Sequence, residues 1–444
     1  MVQQVEPENE LHTTRAMVEA LRMGVVPAGQ THRYTVGRDL AIRQVRSDLA
    51  RASTTGAVRA FIGDYGSGKT HLLAFIEDEA RSRGYVTTRV MLNPSDAAPS
   101  NPQRVFRGLM RSLTLPDESG HSHGLEALLE RALQHPQALA AFGAGSLKNT
   151  ARPAEYLIDG RHLYLTPALQ YAQAIWKKMQ KDGESAGLES AWETLVEWLG
   201  GASEDSSSVV QQEVTAAVGR AHGRLYSLRD YRPWARIYGY LLSGIAALAQ
   251  ACGYAGLCVL LDEAEFYSVL DASNRRYAET LMRAFSYAAA AGVTPEDLPF
   301  GKDDLSEGGA GVLQQTPARY GTGAGLYTVF MMTPDADGLA VLERAVPVAL
   351  HSRLEPLHAE HLMELATRVC ALYRTAYPDG AWKDGFDIAL SRVVAVLLQK
   401  QRVETPRQAM KFIVEMLDIQ RHHPDRLPLV VKTLVQSLQG PTGP

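Results

Sequence analysis

The chain has 444 residues, 45% of them hydrophobic and 21% charged, with a formal net charge of −4. Such a composition suits a globular protein of two or three domains with a sizeable core, and the charge balance gives no electrostatic argument for nucleic acid, though it leaves room for a local basic groove. No apolar run approaches the about 20 residues of a membrane span, Glu6, Glu8 and Glu10 make the N-terminus acidic where a signal peptide would be basic, and Cys252, Cys258 and Cys370 lack zinc-ligand spacing. A cytoplasmic protein with buried free thiols is expected.

Along the chain, Tyr34-Thr35-Val36-Gly37-Arg38-Asp39 opens a predicted helix with apolar residues at Leu40, Ile42, Val45 and Leu49. A strand is expected over 57–62, leading into Gly63-Asp64-Tyr65-Gly66-Ser67-Gly68-Lys69-Thr70. This octapeptide fits the phosphate-loop pattern G-x-x-x-x-G-K-[ST] at every fixed position, with an apolar strand before it and an amphipathic helix after it. Wrapping a turn around a polyphosphate points several backbone N–H groups inward, which Gly63, Gly66 and Gly68 permit, and the following helix aims its N-terminal donors at the same anion. Lys69 should reach the β- and γ-phosphates, and the Thr70 hydroxyl should ligate a bridging Mg²⁺. The pattern predicts binding of a nucleoside triphosphate.

A second strand is expected over 85–92, after a helix ended by Gly84, and residues 93–102 read as a turn. Much of 103–250 reads as helical, with breaks near 116–124, 144–153 and 200–208. Tyr171, Trp176, Trp192 and Trp198 fall at helical spacing and read as core before partner surface, with Lys177-Lys178 beside them. From Lys69 to Asp262 the chain runs 193 residues (262 − 69), far more than the one or two βα units of ~30 residues a minimal core needs.

Residues 256–263 form an apolar run ending in Asp262-Glu263, the pattern of a buried parallel strand that delivers acids to the C-terminal edge of a sheet. Asp262 is expected in the Mg²⁺ shell, and Glu263 is expected to orient and deprotonate the attacking water. A glycine-rich stretch from Thr294, containing Gly308-Gly309-Ala310-Gly311, reads as a mobile loop, and Gly321-x-Gly323-x-Gly325 precedes a strand where a dinucleotide fingerprint would follow one. That strand, expected over 326–332, ends at Thr333-Pro334. Thr333 resembles the polar sensor that ends the corresponding strand in ATPases of the additional-strand class, and a threonine before proline is also a common turn element. A short strand is expected over 346–350, followed by Arg353, preferred to Arg344 as an arginine finger because Arg344 lies in a helix-like stretch. From His358 onward the pattern is helical, and Thr405-Pro406-Arg407 starts the third helix with cap and first-turn chemistry.

These elements resemble the additional-strand P-loop ATPases of the AAA+ class: Asp262-Glu263 resembles a Walker B acid pair, Val36-Gly37-Arg38 an element beside the adenine, and Arg407 a second sensor arginine. The order Leu21-Arg22-Met23-Gly24-Val25-Val26-Pro27, Val36-Gly37-Arg38, Gly63 through His71, Gly253-Tyr254-Ala255-Gly256-Leu257, Leu261-Asp262-Glu263-Ala264-Glu265, Thr333-Pro334 and Thr405-Pro406-Arg407 is similar to BREX-system ATP-binding proteins of the BrxC/BrxD type, closest to the shorter BrxD form. The resemblance implies an α/β P-loop fold: a parallel sheet flanked by helices, with a helical insertion and a C-terminal helical lid. The division expected is 1–102 and 251–356 for the core, 103–250 for the insertion and 357–444 for the lid. It also implies a bacterial antiphage-defence ATPase using ATP and Mg²⁺ and acting on DNA or with helicase or methyltransferase partners; non-specific DNA contact, no membrane and a nucleotide-dependent homo-oligomer are the further expectations. A signalling switch of the STAND type and a DNA-loading ATPase like the origin-recognition proteins are the alternative readings.

Overall fold

A computed structural model describes residues 7–27, 29–117, 123–143, 161–183, 185–203, 205–228, 234–290, 316–380, 382–403 and 405–439. The chain forms two compact units, one made of Met1–Arg43, Gly63–Asp78 and Arg353–Pro444, the other of Gln44–Ile62 and Glu79–Ser352. The glycine-rich stretch beginning at Thr294 falls largely outside the described residues.

The second unit is organised by a sheet of five strands: β1 (Ala57–Ile62), β2 (Tyr85–Met91), β3 (Gly256–Asp262), β4 (Leu326–Met332) and β5 (His351–Arg353), in the order β2-β3-β4-β1-β5. β2, β3, β4 and β1 run parallel to one another. Every residue of β1, β3 and β4 is buried, because parallel strands covered by helices on both faces have no polar side to show. β4 lies between β1 and β3, and the register Ile62↔Met332, Leu261↔Phe330 and Met91↔Asp262 brings the strands' C-terminal ends to one edge. In such sheets ligands bind at that edge.

The expected strand over 346–350 is a misplacement. Val348–Leu350 is a 3₁₀ turn, and the strand is His351–Arg353. Pro347 lacks an N–H for a ladder and instead accepts from Leu350 N–H at 2.8 Å, so pairing starts only after the turn. In the helix Asp39–Thr55, Ala41, Val45, Leu49 and Ala52 make the buried stripe, and Leu40 is 62% exposed.

One apolar cluster runs without interruption from the sheet (Val58, Val86, Leu257, Phe330) into the helices between β2 and β3, where Tyr171, Trp192 and Trp198 are buried. Those helices include Pro102–Arg111, Gly124–Gln134, Leu165–Asp182, Ala186–Leu199, Ser207–Val218 and Ala235–Ala251. His162 is a fully buried polar residue of this core. Its Nδ1 accepts from the N–H groups of Tyr164 (3.1 Å) and Leu165 (3.0 Å) at the start of Leu165–Asp182, its ring stacks on Tyr240 at 4.1 Å, and burial pushes its pKa down to about 3.

β1 carries a buried charge. Arg59 forms a two-point ion pair with Asp48, which also accepts from Tyr327 Oη at 3.2 Å, and Arg59 donates to Ser352 Oγ at 3.1 Å. Ser352 in turn donates to Gln44 Oε1 at 2.9 Å. The pair is fully partnered, which is the condition under which buried charges are tolerated.

In the first unit, the helix Pro7–Met23 shares a core with the C-terminal helices Ala359–Ala376, Phe386–Gln399 and Pro406–His422: Met17, Val18 and Leu21 pack among Leu365, Val369, Tyr373, Ile413 and Leu417. Arg22 locks this arrangement with a two-point pair to Asp418 at 2.8 and 2.9 Å.

Candidate functional site

β1 ends at Ile62, and the next residue opens the glycine loop. Gly66 and Gly68 sit at φ +80° and +88°, the left-handed region that side chains with a Cβ avoid. A Cβ on Gly63 would stand 2.5 Å from Ser67 Oγ, and one on Gly66 would stand 2.7 Å from Thr405 Cγ2. The helix Lys69–Ser82 begins at the end of the loop, so its free N-terminal donors point where the motif expects phosphate. Lys69 is buried, with Nζ donating to the carbonyls of Gly63 (2.9 Å) and Asp64 (3.2 Å), and Ser67 Oγ is buried with no partner among the described residues. A buried ammonium satisfied only by its own loop, an orphaned hydroxyl and glycines where a Cβ would not fit are the features a triphosphate cradle requires. Asp64, Tyr65 and Thr70 are exposed, Tyr65 at 86%.

Two elements brace this loop. The Arg38 guanidinium donates to Ser67 O and, at 2.7 Å, to Glu355 O; burial lowers its pKa. Sequence reasoning placed Val36-Gly37-Arg38 beside an adenine; within this unit Arg38 is bonded to the phosphate loop itself, while Gly37, at φ +61°, lies under His361 and Leu357. The second brace is the helix Pro406–His422. Thr405 caps it, with Oγ1 accepting from Gln408 N–H and the Gln408 side chain reaching back to Thr405 N–H. A Cβ added at Gly66 would meet the Thr405 methyl, so the helix bearing Arg407 in its first turn starts beside the loop. Arg407 and Arg353 are both exposed.

His71, the residue after the motif, bonds Thr35 Oγ1 at 2.8 Å. The Thr35 hydroxyl proton goes to Thr31 O (2.7 Å), so the ring Nε2–H is the donor and the imidazole is neutral; burial pushes its pKa down to about 4. Thr31 bonds Asp78 through both its N–H (2.9 Å) and its hydroxyl (2.7 Å). This chain of bonds ties the first turns after the loop to the 31–35 segment.

The acids lie on the sheet of the other unit. Asp262, 2% exposed at the end of β3, accepts from Glu263 N–H through Oδ1 (3.1 Å) and from Arg89 Nη2 through Oδ2 (2.5 Å). Glu263 adopts φ 60°, ψ 40°, a left-handed conformation uncommon outside glycine, and the strand gives way there to a 3₁₀ turn, Ala264–Val269. Thr333 is half-buried where β4 ends, just before Asp335 caps the helix Ala336–Ala345. Arg344 is held by Glu279 at 2.8 and 3.0 Å. Sequence reasoning missed Arg89: it follows Thr87 and Thr88 in β2, and nothing in its spacing points to Asp262.

No cluster of three or more His, Cys, Asp or Glu side chains that could hold a metal exists among the described residues. Mg²⁺ bound through substrate phosphates needs none, because one carboxylate and one hydroxyl complete its shell with water. All three cysteines are buried and none forms a disulfide among the described residues, where no helix is long and apolar enough to cross a membrane.

A family model described as BREX system ATP-binding protein BrxC/D matches residues 10–293, a span that holds the glycine loop and the acid pair. No curated protein and no solved structure matches the chain. With well over half its length matched, and with a parallel sheet whose first strand feeds a phosphate loop, the chain belongs to the family of BREX system ATP-binding proteins BrxC/D.

Proposed function

We propose that this ATP-binding defence protein hydrolyses ATP as an AAA+-like motor or switch, coupling nucleotide state to assembly with BREX partners or with DNA. The observation that carries the reading is the loop itself: Gly66 and Gly68 in left-handed conformations, with Lys69 buried on the loop's own carbonyls. Phosphate oxygens are better partners for that ammonium than carbonyls, so binding draws Nζ from Gly63 and Asp64 onto the β- and γ-phosphates. Loop N–H groups and the helix start hold the rest of the chain of phosphates.

Thr70 and Asp262 would hold Mg²⁺, which when bound draws negative charge from the phosphoryl oxygens. Glu263 takes a proton from the attacking water as its oxygen bonds to the γ-phosphorus and the bond to the bridging β–γ oxygen breaks in line. Thr333 stands as the sensor of that phosphoryl group, and Arg407 as a lid arginine that contributes positive charge from the helix starting beside the loop. Arg353 is the finger offered to a neighbouring copy, a role supported by its exposure. The four-part division into core, insertion and lid belongs to the same reading, with residues 103–250 as the partner-specific part. Contact with DNA follows the phosphate backbone and weakens steeply with salt.

Lys69→Ala removes the one buried ammonium of the loop. Calorimetric titration should show ATP binding lost; affinity equal to that of the natural chain would contradict the reading.

A further inference from the structure

The second unit contains a charge that the mechanism above does not use. Arg89 belongs to β2, in register with Leu260, and Asp262 is in register with Met91. In a parallel pair this sets Arg89 and Asp262 on the same face as diagonal neighbours, within reach of a long side chain. The guanidinium Nη2 lies 2.5 Å from Asp262 Oδ2; the carboxylate side chain is 2% exposed and the arginine side chain 26%.

A carboxylate so nearly removed from water needs a counter-charge, and Arg89 supplies it. The other carboxylate oxygen already accepts from Glu263 N–H at 3.1 Å. Both oxygens are therefore engaged within the protein's own structure. The backbone of Arg89 is fastened separately, with its N–H donating to Ser112 Oγ (3.1 Å) and its carbonyl accepting from the same hydroxyl (2.7 Å). The side chain bonds only Asp262 among the described residues, so it can leave the acid without disturbing the strand.

We propose that Arg89 is the resident counter-cation of Asp262 and competes with Mg²⁺ for it, so that metal binds only as the guanidinium yields. The inference rests on the reading of Asp262 as a metal ligand. Its consequence is a set point: the natural chain requires more free Mg²⁺ than its acid alone would, and loses little when metal is absent because Asp262 stays paired.

The test is a Mg²⁺ titration of the full chain carrying a fluorescent ATP analogue, starting in chelator, with metal-free melting measured alongside. For Arg89→Gln the half-saturating Mg²⁺ is expected to fall about tenfold, with a lower melting temperature in chelator that Mg²⁺ and nucleotide restore. Arg89→Lys, which keeps a charge but loses the fork, is expected between the two. A half-saturation that is unchanged or higher in either variant overturns the competition, and Arg89→Lys alone decides if Arg89→Gln does not fold. Asp262→Asn separates the two ideas: if it leaves the Mg²⁺ dependence of the natural chain intact, the metal-ligand reading fails irrespective of Arg89.

Discussion

Gly66→Ala probes the meeting of the glycine loop and the helix Pro406–His422, because two costs combine there and can be separated. Gly66 and Gly68 both have positive φ, +80° and +88°, so an alanine at either strains the backbone by about 1–2 kcal/mol. The surroundings differ. A Cβ on Gly68 meets nothing closer than 3.9 Å, whereas one on Gly66 stands 2.7 Å from Thr405 Cγ2, nearer than real Cβ atoms come. Relieving that contact displaces the cap of Pro406–His422 or the loop, at about 1–3 kcal/mol on the scale of overpacked cores. Gly68→Ala should therefore cost about 1–2 kcal/mol and Gly66→Ala about 2–5 kcal/mol in urea unfolding of the nucleotide-free protein. Thr405→Ser removes the offending methyl and keeps the capping hydroxyl, so the double variant Gly66→Ala/Thr405→Ser should recover about 1–3 kcal/mol of the loss as a coupling energy. Equal costs for the two glycines, or no recovery by Thr405→Ser, would refute the contact.

Acid sensitivity should report the core histidine His162 and the half-buried His71. His71 and His162 have folded pKa values near 4 and 3, below the 6.5 of a free imidazole, so the unfolded chain binds more protons between those limits. Their contribution to stability is complete above pH 6.5 and is lost as the pH falls through the folded values; His71→Gln should flatten the decline between pH 6.5 and 4 in chemical-denaturation profiles, and an unchanged slope would argue against its burial. The thiols should be silent in the native state. Cys252 and Cys370 are buried with pKa values pushed up to about 12, and Cys258 lies in β3, so a thiol reagent should label all three only after unfolding, as read by mass spectrometry.

The parts of the fold that could be read directly are those whose signal is local and apolar. β3 and β4 appear at their expected positions because a strand covered on both faces is a near-continuous apolar run, and β1 does so although Arg59 interrupts its run. β5 offered no such run: its three residues are held by polar contacts, Ser352 to Arg59 and Gln44, that only the tertiary structure brings together. The glycine octapeptide was legible for the same reason as the strands, since its chemistry is contiguous. Its supports were not. Arg38 bonds the carbonyl of Ser67, and Thr405 stands where a Cβ on Gly66 would be; in the other unit, Arg89 meets Asp262 across 173 positions of sequence. The paired acids announced themselves at the end of an apolar strand, while their counter-charge sat in another strand with nothing in the spacing to connect them. Arg59 shows the limit from the other side: a charge inside β1 argues locally against burial, and Asp48 supplies the partner that permits it.

Single-turnover hydrolysis by Glu263→Gln tests the central claim most directly. The amide keeps the shape of the side chain but cannot take the proton from water. The variant should bind ATP with Mg²⁺ as the natural chain does while turnover falls by about 10²–10⁴-fold, the usual contribution of a general base. Turnover at the natural rate, with binding intact, would show that Glu263 is not the base and that the acid pair does not complete a hydrolytic site.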